Sequence, residues 1–302
     1  MTKLVQMKKA DLPNGETLAY REREGGTKTV LLIHGNMTSS KHWDVLIDEL
    51  DDDFKVIAVD LRGFGESSYV SPIQQIKDFS DDINHFVSVL DLQDFAIIGW
   101  SKGGAVAMEY CADYPGRCTK LVLLASASTR GYPFYGVNVL GVYGRLCTYE
   151  EIKREPTKTI PIQHAYDTGN QVFLKVIWNS LIYTQNKPEP CKYEEYIDDM
   201  MTQRNLAEVY HSLNIFNISS KHNGLVEGNG KVSAITIPVL VLRGDKDLVV
   251  TEQMTKEIIE DLGSNAIYKE LMGCGHSPLI DNLHLLNEEI QAYLNNLKGA
   301  RE

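Results

Sequence analysis

Phe95-Ala96-Ile97-Ile98-Gly99-Trp100-Ser101-Lys102-Gly103-Gly104-Ala105-Val106 is the stretch that decides the fold. Its first half is an apolar run of strand length, the pattern of a strand covered on both faces. Its second half opens a segment, 103–114, with apolar residues at spacings of three and four, which predicts a helix. Between the two, Gly99, Ser101 and Gly103 form a G-x-S-x-G pattern at a strand-to-helix turn. So sharp a turn strains the serine backbone and brings neighbouring chain close, so glycines flank it where a Cβ would not fit. The turn lifts the Ser101 hydroxyl into the open, as a nucleophile requires. A glycine-rich helix start with Ser101 as a simple N-cap is the bland alternative, and the preceding buried strand argues against it.

The same alternation extends to both sides. Apolar runs predict strands over 17–24, 29–35, 55–60, 120–125 and 239–242, and helical spacings predict helices over 41–50 and 79–92. Strand and helix in alternation mean a mostly parallel central sheet flanked by helices, an α/β fold. The pattern stops over 129–236, which is aromatic (Tyr132, Phe134, Tyr135, Tyr143, Tyr149) and carries helix-like stretches over 171–181 and 194–213. This segment is expected to be a mainly helical cap inserted into a core of 1–128 and 237–302. The alternation then resumes with a helix over 251–262, a strand over 266–271 and a closing helix over 282–297.

Composition narrows the function classes. A formal charge of −11 leaves no surplus of Lys and Arg to neutralise phosphates, which argues against a nucleic-acid partner. The N-terminal residues hold no apolar run of signal length, so export is not indicated. No window reaches the roughly 18 apolar residues of a spanning helix, so no membrane partner is expected. Cys111, Cys118, Cys147, Cys191 and Cys274 are irregularly spaced with no Cys-x-x-Cys pair, which fits reduced, mostly buried thiols in the cytoplasm.

A serine hydroxyl needs a base to take its proton. Of the eight histidines, His276 in Gly273-Cys274-Gly275-His276-Ser277-Pro278 lies between the last strand and the last helix, in a glycine-rich loop that can reach over the sheet edge. His34 is the main rival but ends a strand, where shaping a turn is the simpler role. His42, His85, His211 and His284 fall on helical patterns and are expected to be exposed or partly buried. His164 and His222 lie in the insertion. An acid should stand between serine and histidine in the chain to orient the imidazole. Arg243-Gly244-Asp245-Lys246-Asp247 offers two carboxylates, whereas Ser126-Ala127-Ser128-Thr129, after the strand over 120–125, offers none.

With these residues assembled, the chain resembles the serine-nucleophile branch of the α/β-hydrolase superfamily over about 1–128 and 237–302. The resemblance selects Asp247 as the acid, three residues after the loop glycine, with Asp245 as the alternative. It implies an oxyanion hole from the backbone N–H groups of Asn36, in His34-Gly35-Asn36-Met37, and Lys102, whose side chain is expected in solvent. Asp60-Leu61-Arg62-Gly63-Phe64-Gly65-Glu66-Ser67 is similar to a structural turn of the superfamily. Trp100 either lines the pocket or packs. The dehalogenase and epoxide-hydrolase branches carry aspartate where Ser101 stands, and His-Gly-Asn with Gly-Trp-Ser is similar to some lactone-hydrolysing members. The expected activity is hydrolysis of an ester or lactone of a small, partly apolar substrate through an acyl-enzyme, with no metal or organic cofactor. The same scaffold also serves lyases, carbon–carbon bond hydrolases and ligand receptors with little turnover. Oligomeric state is not legible.

Overall fold

The computed structural model describes residues 4–138 and 140–296. Its main sheet holds eight strands: β1 (Val5–Asp11), β2 (Thr17–Arg23), β3 (Lys28–Ile33), β4 (Phe54–Val59), β5 (Phe95–Trp100), β6 (Cys118–Leu124), and, beyond a small hairpin of β7 (Tyr135–Val137) and β8 (Tyr143–Arg145), β9 (Val239–Gly244) and β10 (Ala266–Leu271). The order across the sheet is β1-β2-β4-β3-β5-β6-β9-β10. β1 and β2 are antiparallel to their neighbours, and every pairing from β4 to β10 is parallel. The α/β architecture is as the alternation predicts.

Period-two alternation explains why the central runs are apolar on every residue. Leu31, Ile33, Ile57, Val59, Ile97 and Leu121 face one core, filled by α2 (Ile76–Val89), α3 (Lys102–Asp113) and α9 (Glu252–Leu262), the numbering of helices following chain order. Val30, Leu32, Val56, Ala58, Ile98 and Val122 face the opposite core, filled by α1 (Asp44–Glu49) and α11 (Leu283–Asn295). The chain leaves β3 towards β4 on one side and later returns to lay β5 on the other. The carboxyl ends of β3 and β5 therefore flank the crevice where open α/β sheets bind ligands.

Between β6 and β9 the chain forms the β7–β8 hairpin, α4 (Tyr149–Lys153), α5 (Thr159–Thr168), α6 (Gln171–Leu181), α7 (Pro190–Met200) and α8 (Leu206–Ile215); α10 (Pro278–Asp281) lies in the loop before α11. The 171–181 helix is as expected. The 194–213 stretch is two helices, broken over 201–205, where Gln203 and Asn205 turn inward to hydrogen-bond with the core instead of continuing the helix. Glu155, fully buried, accepts from the backbone of Val137, Thr157 and Lys158 and so ties the entrance of α5 to β7. No helix among the described residues is long and apolar enough to cross a membrane.

Candidate active site

Ser101 sits between β5 and α3 with φ 55° and ψ −118°, a region that costs a non-glycine residue on the order of 1–3 kcal/mol. The flanking glycines make this conformation possible. A Cβ on Gly99 would lie 2.4 Å from the Gly103 carbonyl oxygen, and one on Gly103 would lie 2.1 Å from the Ile33 carbonyl oxygen. Backbone bonds then hold the turn, with Ser101 N–H donating to the Leu124 carbonyl at 3.0 Å and Ala127 N–H to the Ser101 carbonyl at 3.2 Å.

His276 is buried in the loop after β10, with its Nδ1 2.9 Å from Oδ2 of Asp247 and 3.2 Å from Oδ1. Asp247 Oδ1 also accepts from Val249 N–H at 2.7 Å and Val250 N–H at 2.9 Å. Burial alone would push the Asp247 carboxyl up, but the facing imidazole and these two N–H groups outweigh it and hold the carboxyl below its ordinary value. Asp245 is placed differently: its Oδ1 accepts from Gly273 N–H at 2.6 Å, bracing the start of the histidine loop. Asp281 braces the same loop through Gly275 N–H at 2.7 Å. Trp100 does both things open to it, lining the cavity and donating from its indole N–H to the His276 carbonyl at 2.9 Å.

A cavity of about 370 Å³ opens above Ser101, and Asn36, Lys102 and His276 line it as well. Its far wall comes from the insertion, chiefly Tyr132, Phe134, Ile177, Trp178, Leu181 and Tyr210. His34 is buried away from this chemistry: its Nδ1 bonds the Gly35 carbonyl at 2.8 Å and its Nε2 accepts from Leu61 N–H at 3.0 Å. With both ring nitrogens committed, it shapes the turn as the sequence suggested. His42 departs from expectation. It is 2% exposed, stacked on Tyr196 at 4.3 Å and 3.2 Å from Asp199, because α7 of the insertion closes over it. Of the cysteines, Cys111, Cys118 and Cys274 are buried as expected, while Cys147 and Cys191 are exposed; all five are free. Among the described residues no group of three or more His, Cys, Asp and Glu is placed to hold a metal.

Lys102 corrects a second expectation. Its side chain does not reach solvent; it is 1% exposed, its Nζ has no hydrogen-bond partner, and it lies 3.7 Å above the Phe64 ring and 4.9 Å from that of Phe79. Both rings come from segments distant in sequence, so the helix start gave no hint of them. An ammonium over an aromatic face gains about 2 kcal/mol when desolvated. Its burial costs several kcal/mol, which outweighs that gain and pushes the folded pKa well below the ordinary value. The unfolded chain then binds the extra proton. The cost is absent above the unfolded value of about 10.4 and grows as pH falls towards the folded value. Lys102→Met should accordingly raise unfolding free energy near neutral pH by about 1–3 kcal/mol. That margin should shrink as the solution is made alkaline. Urea unfolding of both proteins from neutral to alkaline pH checks this, and parallel profiles would reject a lowered Lys102 pKa.

Residues 28–283 match the family model described as alpha/beta hydrolase fold, and the chain belongs to that family. It is 25% identical over 283 residues to the AB hydrolase superfamily protein YisY of Bacillus subtilis (strain 168), covering 91% of this chain and 95% of that protein. It is 24% identical over 289 residues to a non-heme haloperoxidase of Rhodococcus erythropolis, covering 93% of this chain and 97% of that one. Among solved structures, an esterase from Exiguobacterium antarcticum shares the fold with a TM-score of 0.73 at 18% identity, over 96% of this chain and 99% of that chain.

Proposed function

We propose that the protein is a serine hydrolase that cleaves an ester or lactone of a small, partly apolar substrate through an acyl-enzyme. The observation that carries this reading is the strained Ser101 sharing one cavity with His276, whose Nδ1 is bonded to the buried Asp247 carboxylate. In this mechanism His276 Nε2 takes the Ser101 hydroxyl proton as Oγ attacks the carbonyl carbon. The carbonyl oxygen gains the negative charge. The N–H of Lys102, in the first turn of α3 and so without an intrahelical acceptor, and the N–H of Asn36 receive that charge. Collapse breaks the carbon–oxygen bond, His276 returns the proton to the leaving oxygen, and a water activated by the same base releases the acyl group. Asp247 orients the imidazole and stabilises its charged form.

Residues 129–236 serve as a cap over a core of 1–128 and 237–302, and their aromatic wall sets substrate size and polarity. A cytoplasmic location is supported by the five cysteines, an odd number at irregular spacings with no Cys-x-x-Cys pair. The acidic surface fits a small-molecule partner rather than a nucleic acid.

The test is labelling by a fluorophosphonate probe, followed by turnover of a panel of p-nitrophenyl esters and lactones. Wild-type protein should be labelled and Ser101→Ala should not. A well-folded wild-type protein that resists the probe would refute an activated Ser101.

A further inference from the structure

The break between α7 and α8 contains a carboxamide chain that reaches the proposed reaction centre. Gln203 is 3% exposed and all its side-chain hydrogen-bonding positions are filled. Its Oε1 accepts from Met37 N–H at 3.1 Å and from the Tyr166 hydroxyl at 3.3 Å. Its Nε2 donates to Asn36 Oδ1 at 2.9 Å and to Asn205 Oδ1 at 3.1 Å. Asn205 Nδ2 donates in turn to the Arg62 carbonyl at 2.8 Å.

Backbone groups fix the direction of this chain at both ends. Met37 N–H can only donate, so the Gln203 atom facing it is the oxygen and its amide nitrogen faces Asn36. The Arg62 carbonyl can only accept, so Asn205 meets it with its nitrogen and leaves its oxygen for Gln203. Both constraints require Asn36 to turn its oxygen towards Gln203. No protein acceptor takes Asn36 Nδ2 among the described residues, and Asn36 lines the cavity above Ser101.

We infer that the Asn36 side-chain amide is a hydrogen-bond donor to the reacting carbonyl oxygen, beyond the two backbone N–H groups, and that Gln203 is the positioning residue that aims it. The inference rests on the acyl-transfer reading above. It makes the insertion a working part of the reaction centre: the residue that orients Asn36 lies on the connection between two of its helices, so a shift of that connection changes the donor.

Two variants separate aim from presence. Asn36→Ala removes the donor and leaves the Met37–Gln203 bond in place. Gln203→Met is uncharged and close in volume, and it offers no donor to Asn36 Oδ1, so the Asn36 amide loses its aim. Steady-state kinetics on a p-nitrophenyl ester and the rate of fluorophosphonate labelling are measured for wild type, both single variants and the double variant. Loss of one oxyanion donor costs about 10²-fold or more in kcat, so Asn36→Ala should lose about 10²-fold with KM little changed, and labelling should slow in parallel. Gln203→Met should lose activity alone yet add nothing further on top of Asn36→Ala, because the two act through one bond. A merely structural Gln203 would give losses that multiply. Thermal unfolding identifies variants that have lost the fold, and the cavity-facing Asn36→Ala tests the donor even if Gln203→Met is unstable. Unchanged kcat in Asn36→Ala, or multiplicative losses in the double variant, would overturn the inference while leaving the Ser101 reading intact. Wild-type protein that neither labels nor turns over would overturn both.

Discussion

Asp247→Asn is expected to lower kcat by about 10⁴-fold, the loss measured for the same change in a serine protease with equivalent groups. The local geometry says why the effect should be this large. Asp247 Oδ1 accepts two backbone N–H groups, from Val249 and Val250, which can only donate. An asparagine must therefore keep its oxygen on that side and turn its NH₂ towards His276 Nδ1. The ring nitrogen, 2.9 Å from Oδ2 in the native protein, then has to accept, so the ring proton moves to Nε2. Imidazole protonated at Nε2 cannot take the Ser101 proton. Folding should survive, because the substitution is isosteric and the two backbone bonds remain. Asp245→Asn is the contrasting case. The bond from Gly273 N–H needs only an oxygen, which asparagine retains, so activity should stay near wild type. Steady-state kinetics on both variants decide between the two carboxylates, and a large loss in Asp245→Asn with little in Asp247→Asn would reverse the assignment.

The two carboxylates illustrate how far the sequence could be read. The sheet centre was legible because strand segments buried on both faces must be apolar at every position, as 30–33 of β3, 56–59 of β4, all of β5 and 121–124 of β6 are. β1 was not anticipated: Val5-Gln6-Met7-Lys8-Lys9-Ala10-Asp11 pairs on one side only and is largely solvated, so it carries no apolar run. α4 and α5 also escaped notice. α4 has five residues, and α5 places Pro161 in its first turn, which is compatible with a helix but reads as a break. Ser101, His276 and the loop of Asp247 were legible because each sits at the end of a strand, where backbone geometry confines the choice of residue. Lys102, His42 and Gln203 were not. What surrounds each comes from segments far away in the chain, and one lysine, histidine or glutamine in a helical pattern gives no local sign of its partner. Asn205, a residue that favours a helix cap over a helix interior, was the one available signal for the break beside Gln203.

Gly103→Ala should have the largest effect on the folded state, a destabilisation of about 3 kcal/mol or more. The added Cβ would stand 2.1 Å from the Ile33 carbonyl oxygen, 2.7 Å from the Ile33 carbonyl carbon and 2.7 Å from the His34 carbonyl oxygen. All three are backbone atoms, so no rotamer change relieves the clash. β3 cannot retreat either, since it is hydrogen-bonded to β4 on one side and β5 on the other. The remaining way out is to lift the start of α3 away from the end of β3. That motion parts Ser101 and the Lys102 N–H from Asn36, which follows β3 directly, so molecules that still fold should lose activity as well. A misplacement of about 1 Å at such a centre can cost roughly 10²-fold in rate. Gly144→Ala provides the control, because a Cβ there meets nothing within 4 Å and the backbone is not left-handed. Its stability should stay within about 0.5 kcal/mol of wild type. Chemical unfolding of the two variants beside wild type reads the difference directly. A Gly103→Ala protein as stable as Gly144→Ala would mean that α3 is free to move against the sheet, and the close approach that holds Ser101 beside Asn36 would lose its physical basis.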